Sequence, residues 1–313
     1  VDVKLFDAEG KDVLADNPLR GDAPEVASME EGTLSLNRLI ENPHLWSDED
    51  PYLYTLVVSL YEKDSGRYFH SLSQQLGFRE IEFTMTQVDG NYDRIDQTYD
   101  TVTINGQPLK LWGVNRHDVN PEAGRYVTKE LYEKDIELMK QFNVNAIRTS
   151  HYPNDRYMYY LCDKYGIYVL AEANNESHGL GWEDDTSLGD YLEDTIFDRI
   201  AANVNAQKNR TSVIMWSMGN ETAGSGPKKV YRRAIQEVIR PLDTTRPVQM
   251  ERLGWDGGVD IGSTMYSYPN EVEAWGQNTN RMPYLMSEYA HAQGNSEGGL
   301  NLYMDVFRNS SNL

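Results

Sequence analysis

The chain has 313 residues, of which 39% are hydrophobic and 25% are charged, a composition typical of a globular protein with one large domain or two. Its net charge of -20 disfavours nucleic acid and anionic membranes as partners, because both would repel an acidic surface. Its single cysteine, Cys162, excludes an intrachain disulfide.

The first part of the chain predicts an antiparallel β-sandwich. Apolar and polar residues alternate in four segments, which are Val1–Phe6, Gly32–Asn37, Tyr52–Tyr61 and Gln75–Phe83. Short alternating strands separated by turn residues are typical of a sandwich. Four strands are few for a complete sandwich, so we predict a partial one over residues 1–97 and expect its first strands to lie upstream of Val1.

From Thr101 onwards the pattern changes to alternating strands and helices. The predicted strands are 110–115, 146–150, 168–173, 213–217, 248–251, 261–265 and 284–287. A helix is predicted after each of them except the fifth. The first helix is predicted to begin after the capping residue Thr128, with an apolar stripe of Leu131, Ile136, Leu138, Met139 and Phe142. Seven such units in succession indicate a (β/α)8 TIM barrel over residues 98–313, truncated before its eighth strand. The alternative is an open doubly wound sheet, but the glycine-rich phosphate-binding motif typical of that fold is not found in the sequence.

Two glutamates stand directly after predicted barrel strands, where barrels carry their active sites. Glu221 ends the run V-I-M-W-S-M-G-N-E, and Glu288 follows the seventh strand. Strands four and seven face each other across a barrel, so the two carboxylates would converge on one bond. A pair of carboxyls about 5 Å apart is the arrangement of a retaining glycosidase. The alternative is that either glutamate caps a loop or pairs with an arginine.

Four of the six histidines also follow predicted strands, namely His117, His151, His178 and His291. One such histidine would most simply be structural, but four at equivalent strand ends indicate a site. Glu176 and His178, with Glu221 nearby, form a candidate Mg²⁺ site, since oxygen-rich ligation suits this cation. A Glu-x-His motif alone is weakly specific, so an ordinary loop is the alternative.

Several stretches together resemble glycoside hydrolase family 2, and within it the β-galactosidases of the bacterial lactose-cleaving type. They are N-G-Q-P-L-K-L-W-G-V-N-R-H (105–117), R-T-S-H-Y-P-N (148–154), E-A-N-N-E-S-H-G (172–179), S-V-I-M-W-S-M-G-N-E (212–221) and S-E-Y-A-H-A-Q-G-N-S (287–296). Upstream, L-W-S (45–47) and L-G-F-R-E (76–80) resemble the immunoglobulin-like domain that precedes the barrel in this family.

The resemblance implies a retaining exo-β-galactosidase that acts by double displacement. It implies Glu288 as the nucleophile, Glu221 as the general acid and base, and Mg²⁺ bound by Glu176, His178 and Glu221. It further implies that the galactosyl unit or the transition state is contacted by His117, His151, Asn220, Tyr266 and His291.

The expected partner is a β-galactoside, with no nucleic acid and no membrane, and the full-length enzyme is expected to be a homo-oligomer in the cytoplasm or the periplasm. No signal peptide is found in this sequence. The family's monovalent-cation site is expected to lie in missing segments, and we expect this chain alone to have little turnover. The alternatives are a family-2 β-glucuronidase or β-mannosidase, or a non-catalytic sugar-binding barrel.

Overall fold

The computed structural model describes residues 1–87, 101–176, 186–222, 225–255, 258–277, 282–291, 298–310 and 313. They form two compact units, of which the first comprises Val1–Arg79 with Asp163–Gly166 and the second comprises Glu80–Cys162 with Ile167–Leu313. The domain boundary predicted after residue 97 falls within residues 88–100, outside the described ranges, and stays a prediction. No helix in the described ranges is long and apolar enough to cross a bilayer.

The first unit contains a four-stranded antiparallel sheet in the order β2-β1-β3-β4. Its strands are β1 (Asp2–Phe6), β2 (Leu19–Arg20), β3 (Tyr54–Tyr61) and β4 (Tyr68–Leu76). Leu5 of β1 lies opposite Leu56 of β3, and Tyr54 lies opposite Leu76. These side chains contribute to the hydrophobic core of the unit. The alternation in the sequence therefore arises from one buried and one exposed face.

Two strand predictions in this unit are wrong. Residues 32–37 form no strand, and Leu36 packs against the core from an irregular segment. The alternation there reflects side-chain packing and not strand pairing. The strand predicted over Gln75–Phe83 is divided, because β4 ends at Leu76 and the next strand belongs to another sheet. The sequence does not predict most of β4, from Tyr68 onwards, because serines and a histidine interrupt its apolar pattern.

The second unit begins with a small antiparallel sheet and continues with alternating parallel strands and helices. The small sheet consists of β5 (Ile81–Glu82), β6 (Thr103–Ile104) and β7 (Gln107–Pro108). The parallel strands are β8 (Gly113–Arg116), β9 (Ala146–Thr149), β10 (Tyr168–Glu172), β11 (Val213–Ser217), β12 (Val248–Gln249), β13 (Gly262–Met265) and β14 (Tyr284–Glu288). The helices are α1 (Lys129–Gln141), α2 (Arg156–Tyr165), α3 (Thr186–Gln207), α4 (Ser225–Ala234), α5 (Arg240–Leu242), α6 (Pro269–Gly276) and α7 (Leu300–Asn309).

The parallel strands follow the chain order without a reversal. One sheet has the order β12-β11-β10-β9-β8, and β13 pairs with β14. Because a doubly wound sheet reverses its strand order, this arrangement favours the barrel. Asn115, in β8, donates a hydrogen bond of 2.9 Å to the carbonyl of Ser287, in β14. An apolar cleft of about 510 Å³ borders both strands. That the barrel is truncated before an eighth strand stays a prediction.

Helix α1 begins where the sequence predicts. The side chain of Thr128 accepts a hydrogen bond from the backbone N–H of Leu131 and caps the helix. The predicted apolar stripe is only partly buried, because Ile136 and Met139 face the core while Leu138 is 40% and Phe142 is 75% exposed. The side chains that pack into the barrel core are Tyr132, Ile136 and Met139. Their spacing of four and three residues defines one helical stripe.

Strands β9, β10 and β11 are buried along their whole length. Parallel strands that are covered on both faces are expected to be continuously apolar. Arg148 in β9 and Glu172 in β10 break this pattern, and they are 4% and 0% exposed. A buried charge is retained only when it is paired or hydrogen-bonded. Packing does not explain these two buried charges, so they indicate a candidate functional site.

Candidate active site

A chain of polar contacts crosses the parallel strands near their carboxyl ends. Gln249 of β12 donates to Ser217 Oγ of β11 at 2.5 Å, and Ser217 donates to Glu172 Oε2 of β10 at 2.6 Å. Arg148 of β9 donates through Nε to the same oxygen at 2.6 Å, and through Nη1 to Glu288 Oε1 of β14 at 2.9 Å. The contacts therefore run from strand to strand and end on one of the two predicted catalytic carboxylates.

Glu288 is surrounded by groups that favour its charged form. The Tyr266 hydroxyl donates a hydrogen bond to Oε2, Arg148 donates to Oε1, and His151 Nε2 lies 3.7 Å from Oε1. Burial alone would raise the pKa of Glu288. The hydrogen bonds from Tyr266 and Arg148, with the positive charge of Arg148, outweigh burial and lower that pKa. Glu288 is thereby held as a carboxylate, the form that can act as a nucleophile.

Tyr266 follows β13 in a left-handed conformation, with φ of 56°. Its backbone N–H donates to the carbonyl of Glu288 at 2.8 Å, so both its backbone and its side chain contact this residue. Burial, the hydrogen bond to Glu288 and the charges of Glu288 and Glu221 all raise the pKa of Tyr266. The two predicted catalytic carboxylates therefore act on the same hydroxyl. The ring of His291 stacks beside Tyr266, with centroids 6.1 Å apart.

Arg148 is the central residue of these contacts, although its sequence context predicts no role for it. Its guanidinium donates to four side chains, which are Glu172, Glu288, Asn115 at 3.1 Å and Asn220 at 2.7 Å. The fixed fork of an arginine suits several acceptors at once, and a lysine would not replace it. The available signal was an arginine inside the buried strand A-I-R-T, one strand away from a buried glutamate.

The two predicted histidines at the ends of β8 and β9 are neighbours. The rings of His117 and His151 pack edge to face, with centroids 5.4 Å apart. His151 Nδ1 lies 2.7 Å from Oε1 of Glu172, and His117 Nδ1 lies 3.3 Å from the Tyr152 hydroxyl. Partial desolvation of the imidazole, followed by the nearby His151 and Arg125, lowers the pKa of His117. The lowered pKa favours a neutral imidazole in His117, which can both donate and accept hydrogen bonds.

Asn220 connects Arg148 with a further carboxylate. Its Oδ1 accepts from Arg148, and its Nδ2 donates to Glu176 Oε2 at 2.7 Å. The backbones of Glu176 and Asn220 also pair as a parallel bridge. Glu221, the next residue, has a φ of 39°. Positive φ is uncommon outside glycine, and such residues concentrate at functional sites.

The predicted magnesium ligands are only partly within the described residues. Glu176 pairs with Asn220, the residue before Glu221, so both carboxylates belong to the same corner of the site. Carboxylate oxygens are the ligands that Mg²⁺ prefers, and these two residues fit the prediction. His178 lies outside the described residues. Within the described ranges, no group of three or more His, Cys, Asp or Glu side chains forms a metal site. The magnesium site stays a prediction.

The structure brings most of the predicted site residues into one connected set. Hydrogen bonds, ion pairs or ring contacts given above link His117, His151, Glu176, Asn220, Tyr266, Glu288 and His291. Glu221 follows Asn220 in the chain and acts electrostatically on Tyr266. His117 and His291 are both exposed, as expected for groups that meet a ligand from outside. The roles assigned to these residues stay predictions.

Comparison with known protein families gives a match for each part of the chain. Residues 1–79 match the family described as glycosyl hydrolases family 2, and residues 95–313 match its TIM barrel domain. The second match covers well over half of the chain. It agrees with the strand order of the second unit and confirms the predicted barrel fold.

Individual relatives match nearly the whole chain but extend well beyond it. A beta-galactosidase of Halalkalibacterium halodurans is 35% identical over 97% of this chain, which spans 28% of that protein. The beta-galactosidase large subunit of Lactobacillus acidophilus is 37% identical over 85% of this chain, which spans 42% of it. A solved beta-D-glucuronidase from Dictyoglomus thermophilum has a TM-score of 0.68 and 25% identity, and the match covers 94% of this chain and 50% of that one.

Proposed function

The chain belongs to glycosyl hydrolase family 2, and from this premise we propose that its site hydrolyses terminal β-D-galactosyl residues with retention of configuration. The observation that carries the proposal is the environment of Glu288, which is held ionised between the Arg148 guanidinium and the Tyr266 hydroxyl. A carboxylate fixed in this way suits nucleophilic attack. Glu221, which in its ionised form acts on the same hydroxyl, is proposed as the second carboxyl that a retaining mechanism requires.

The proposed reaction has two displacements. In the first, Glu288 attacks the anomeric carbon, the bond from this carbon to the glycosidic oxygen breaks, and Glu221 gives its proton to that oxygen. In the second, Glu221 takes a proton from water, and the water oxygen attacks the anomeric carbon and displaces Glu288. Glu288 is then ionised again and Glu221 protonated, so the cycle closes.

The remaining polar residues of the site are proposed to bind the sugar hydroxyls. His117, His151, Asn220 and His291 each present an imidazole or an amide at the strand ends, next to the Glu288 region. Hydrogen bonds to the hydroxyls accelerate the reaction only if they strengthen in the transition state. A rigid set of donors does this, because it needs no rearrangement when charge develops.

We further propose that Glu176, His178 and Glu221 hold Mg²⁺. When bound, the cation supplies positive charge beside the acid/base carboxyl. The support from the structure is the pairing of Glu176 with Asn220, which joins the two described carboxylates at one corner. Glu176 also accepts a hydrogen bond of 2.7 Å from Asn220. It therefore orients Asn220 whether or not Mg²⁺ is bound.

The second candidate is a β-glucuronidase or β-mannosidase of the same family, and it is supported by the glucuronidase among the solved structures. A glucuronide would bring its own carboxylate into the site and would need a cation to meet it. Arg148 is already engaged by Glu172, Glu288 and Asn220. Arg148 is therefore not available to meet a substrate carboxylate, and the names of the two curated relatives favour galactose.

The decisive experiment is to trap the covalent intermediate in the protein expressed from its complete gene. A 2-deoxy-2-fluoro-β-galactosyl fluoride should label one peptide, and mass spectrometry should place the sugar on Glu288. The Glu288→Gln variant is the control and should stay unlabelled. Labelling of another residue, or binding of galactosides without any turnover, would contradict the proposal and would favour the non-catalytic sugar-binding barrel.

Two further measurements complete the test. A panel of aryl β-galactoside, β-glucuronide and β-mannoside separates the candidate substrates, and we expect the galactoside to be hydrolysed fastest. We also expect residues 1–313 alone to turn over slowly, because relatives named for this activity are much longer. Rapid hydrolysis by that fragment would disprove the last expectation without affecting the assignment of the carboxylates. The oligomeric state proposed for the full-length enzyme can be measured by light scattering.

A further inference from the structure

Glu172 occupies the centre of the polar network, although its partners and not Glu172 itself contact Glu288. Its side chain is completely buried. Oε2 accepts hydrogen bonds from Arg148 Nε and Ser217 Oγ, both at 2.6 Å, and Oε1 lies 2.7 Å from His151 Nδ1. Both oxygens of this carboxylate are therefore engaged by side chains of neighbouring strands and of the segment after β9.

The chemistry of a carboxylate determines how these partners are oriented. An ionised carboxylate only accepts hydrogen bonds, so each group that faces Glu172 has to supply the hydrogen. The hydrogen on His151 Nδ1 therefore points towards Glu172. The opposite nitrogen of that ring, Nε2, is left facing Glu288 Oε1 at 3.7 Å. The hydrogen bond made by one ring nitrogen in this way decides the role of the other.

The same carboxylate fixes the plane of Arg148. The guanidinium is planar, so its Nε contact with Glu172 determines where the two Nη groups point. They point to Glu288 Oε1 at 2.9 Å and to Asn220 Oδ1 at 2.7 Å. Arg148 is only 4% exposed, and a buried guanidinium needs a counter-ion held in good geometry. Both groups near Oε1 of Glu288, Arg148 and His151, are thus set by one buried residue.

We propose that Glu172 is a positioning residue for the nucleophile, which aligns Arg148 and His151 on the same oxygen of Glu288. This inference rests on the proposed function, since it assigns Glu172 a part in the displacement by Glu288. Ser217 and Gln249 extend the alignment, because the amide of Gln249 donates to the Ser217 hydroxyl and directs its hydrogen to Glu172.

The test is Glu172→Gln in the protein expressed from its complete gene. The amide is nearly isosteric, but it has one acceptor oxygen in place of two. It therefore cannot accept from both Arg148 and His151, and at least one of them loses its alignment. We expect kcat for an aryl β-galactoside, and the rate of labelling of Glu288 by the 2-fluoro sugar, to fall about 100-fold. We expect KM to change by less than about threefold, because alignment of the nucleophile matters in the transition state and not in binding.

The matched control is Asp260→Asn, which also changes a completely buried carboxylate that pairs with an arginine, here Arg240 at 2.7 Å. Asp260 contacts neither Arg148 nor Glu288 in the described residues, so its folded fraction should label at the wild-type rate. If Glu172→Gln does not fold, Glu172→Asp is the second variant, because it keeps the charge on a side chain that is one carbon shorter. It should still lower the labelling rate about tenfold. Labelling at the wild-type rate by a folded Glu172 variant would refute the positioning role.

A double-mutant cycle separates this role from a general loss of stability. If Glu172 acts partly through His151, the Glu172→Gln effect on labelling should be smaller in a His151→Ala background. Equal effects in both backgrounds would show that Glu172 does not act through His151. Absence of labelling in the wild-type protein is a different result, which would contradict the proposed function itself.

Discussion

Arg148 and Glu288 form an ion pair of 2.9 Å in which the two side chains are 4% and 12% exposed. Water screens such a partly buried pair much less than it screens a surface pair. The arginine is anchored by Glu172 on its other side, so it cannot turn away to follow solvent. The ion pair keeps Glu288 charged and stationary, and both properties suit the nucleophilic role proposed for it.

Replacing Tyr266 by phenylalanine should change the pH dependence of the reaction. The Tyr266 hydroxyl donates to the charged form of Glu288 and helps to lower its pKa. Loss of this donor raises the pKa of Glu288, so the acid limb of kcat/KM should move to higher pH by about one unit. The measurement is a pH–rate profile of both proteins on one aryl galactoside. Tyr268→Phe, at an exposed tyrosine two residues away, is the control and should leave the limb in place. An unchanged limb in Tyr266→Phe would show that another group controls it.

Replacing Glu176 by glutamine should weaken Mg²⁺ binding. The amide oxygen of glutamine can still accept the hydrogen bond from Asn220, so this contact survives while the charge is lost. We expect the affinity for Mg²⁺ to fall about tenfold or more. Titration calorimetry on the metal-stripped protein measures binding directly, independently of activity. Glu137→Gln, on the exposed face of α1, is the charge-matched control. Equal affinities in the two variants would remove Glu176 from the set of ligands.

The parts of this fold that the sequence predicts well are those where one local pattern decides the outcome. Strand β11 begins and ends at its predicted residues, Val213 and Ser217. A short, continuous apolar run with β-branched residues, bounded by polar residues, is typical of a buried parallel strand. The residues after it, Asn220 and Glu221, are predicted as site residues because barrels carry their functional groups at this end of the strands.

The sequence does not predict the roles proposed for Arg148 and Glu172, because those roles depend on a partner in another strand. Within its own strand, each is one charged residue in an apolar run. Only the parallel pairing of β9 with β10, which places Arg148 opposite Leu170, brings the guanidinium next to Glu172. Sequence periodicity contains no information on this register. The same reason explains β4, where pairing with β3 and not apolar alternation defines the strand.

Replacing Asp243 by asparagine should destabilise the barrel, because Asp243 holds Trp216 of β11 and Arg246 in place. Asp243 Oδ2 accepts hydrogen bonds from Trp216 Nε1 at 2.8 Å and from Arg246 Nη1 at 2.7 Å, and both partners are buried. Leaving Arg246 without a counter-ion should cost about 3 kcal/mol of unfolding free energy. Glu237→Gln, at a half-exposed pair with Arg233, should cost less than about 1 kcal/mol. Denaturant unfolding of both variants measures the difference.

The stability lost in Asp243→Asn should also depend on pH. Burial opposes ionisation, but Arg246 and Thr245 outweigh it, so the pKa of Asp243 is lowered in the folded state. A lowered folded-state pKa contributes stability that is complete above the unfolded-state pKa and is lost as the pH falls through the folded-state value. The difference between wild type and Asp243→Asn should therefore shrink in acid. A difference that stays constant down to acid pH would show that the charge of Asp243 is not its cause.

Replacing Gly219 by alanine should displace the backbone that carries Asn220 and Glu221. Gly219 has a φ of 150°, and a Cβ at this position would lie 2.4 Å from the carbonyl oxygen of Asn175. That oxygen also accepts the backbone N–H of Asn220 at 2.8 Å, so the clash cannot be relieved without moving Asn220 and the adjacent Glu221. We expect a loss of about 2 kcal/mol or more in unfolding free energy, and a fall in kcat of about 100-fold from the displaced carboxyl.

Gly106→Ala is the matched control for this backbone change. Gly106 also has a positive φ, of 73°, but a Cβ there would meet nothing within 4 Å. Its substitution should cost about 1 kcal/mol from the left-handed conformation alone and leave kcat unchanged. The comparison separates the conformational cost from the clash with Asn175, because only the clash displaces Asn220. If Gly219→Ala lost stability but kept its kcat, the position of Glu221 would not depend on the close approach of these two backbones.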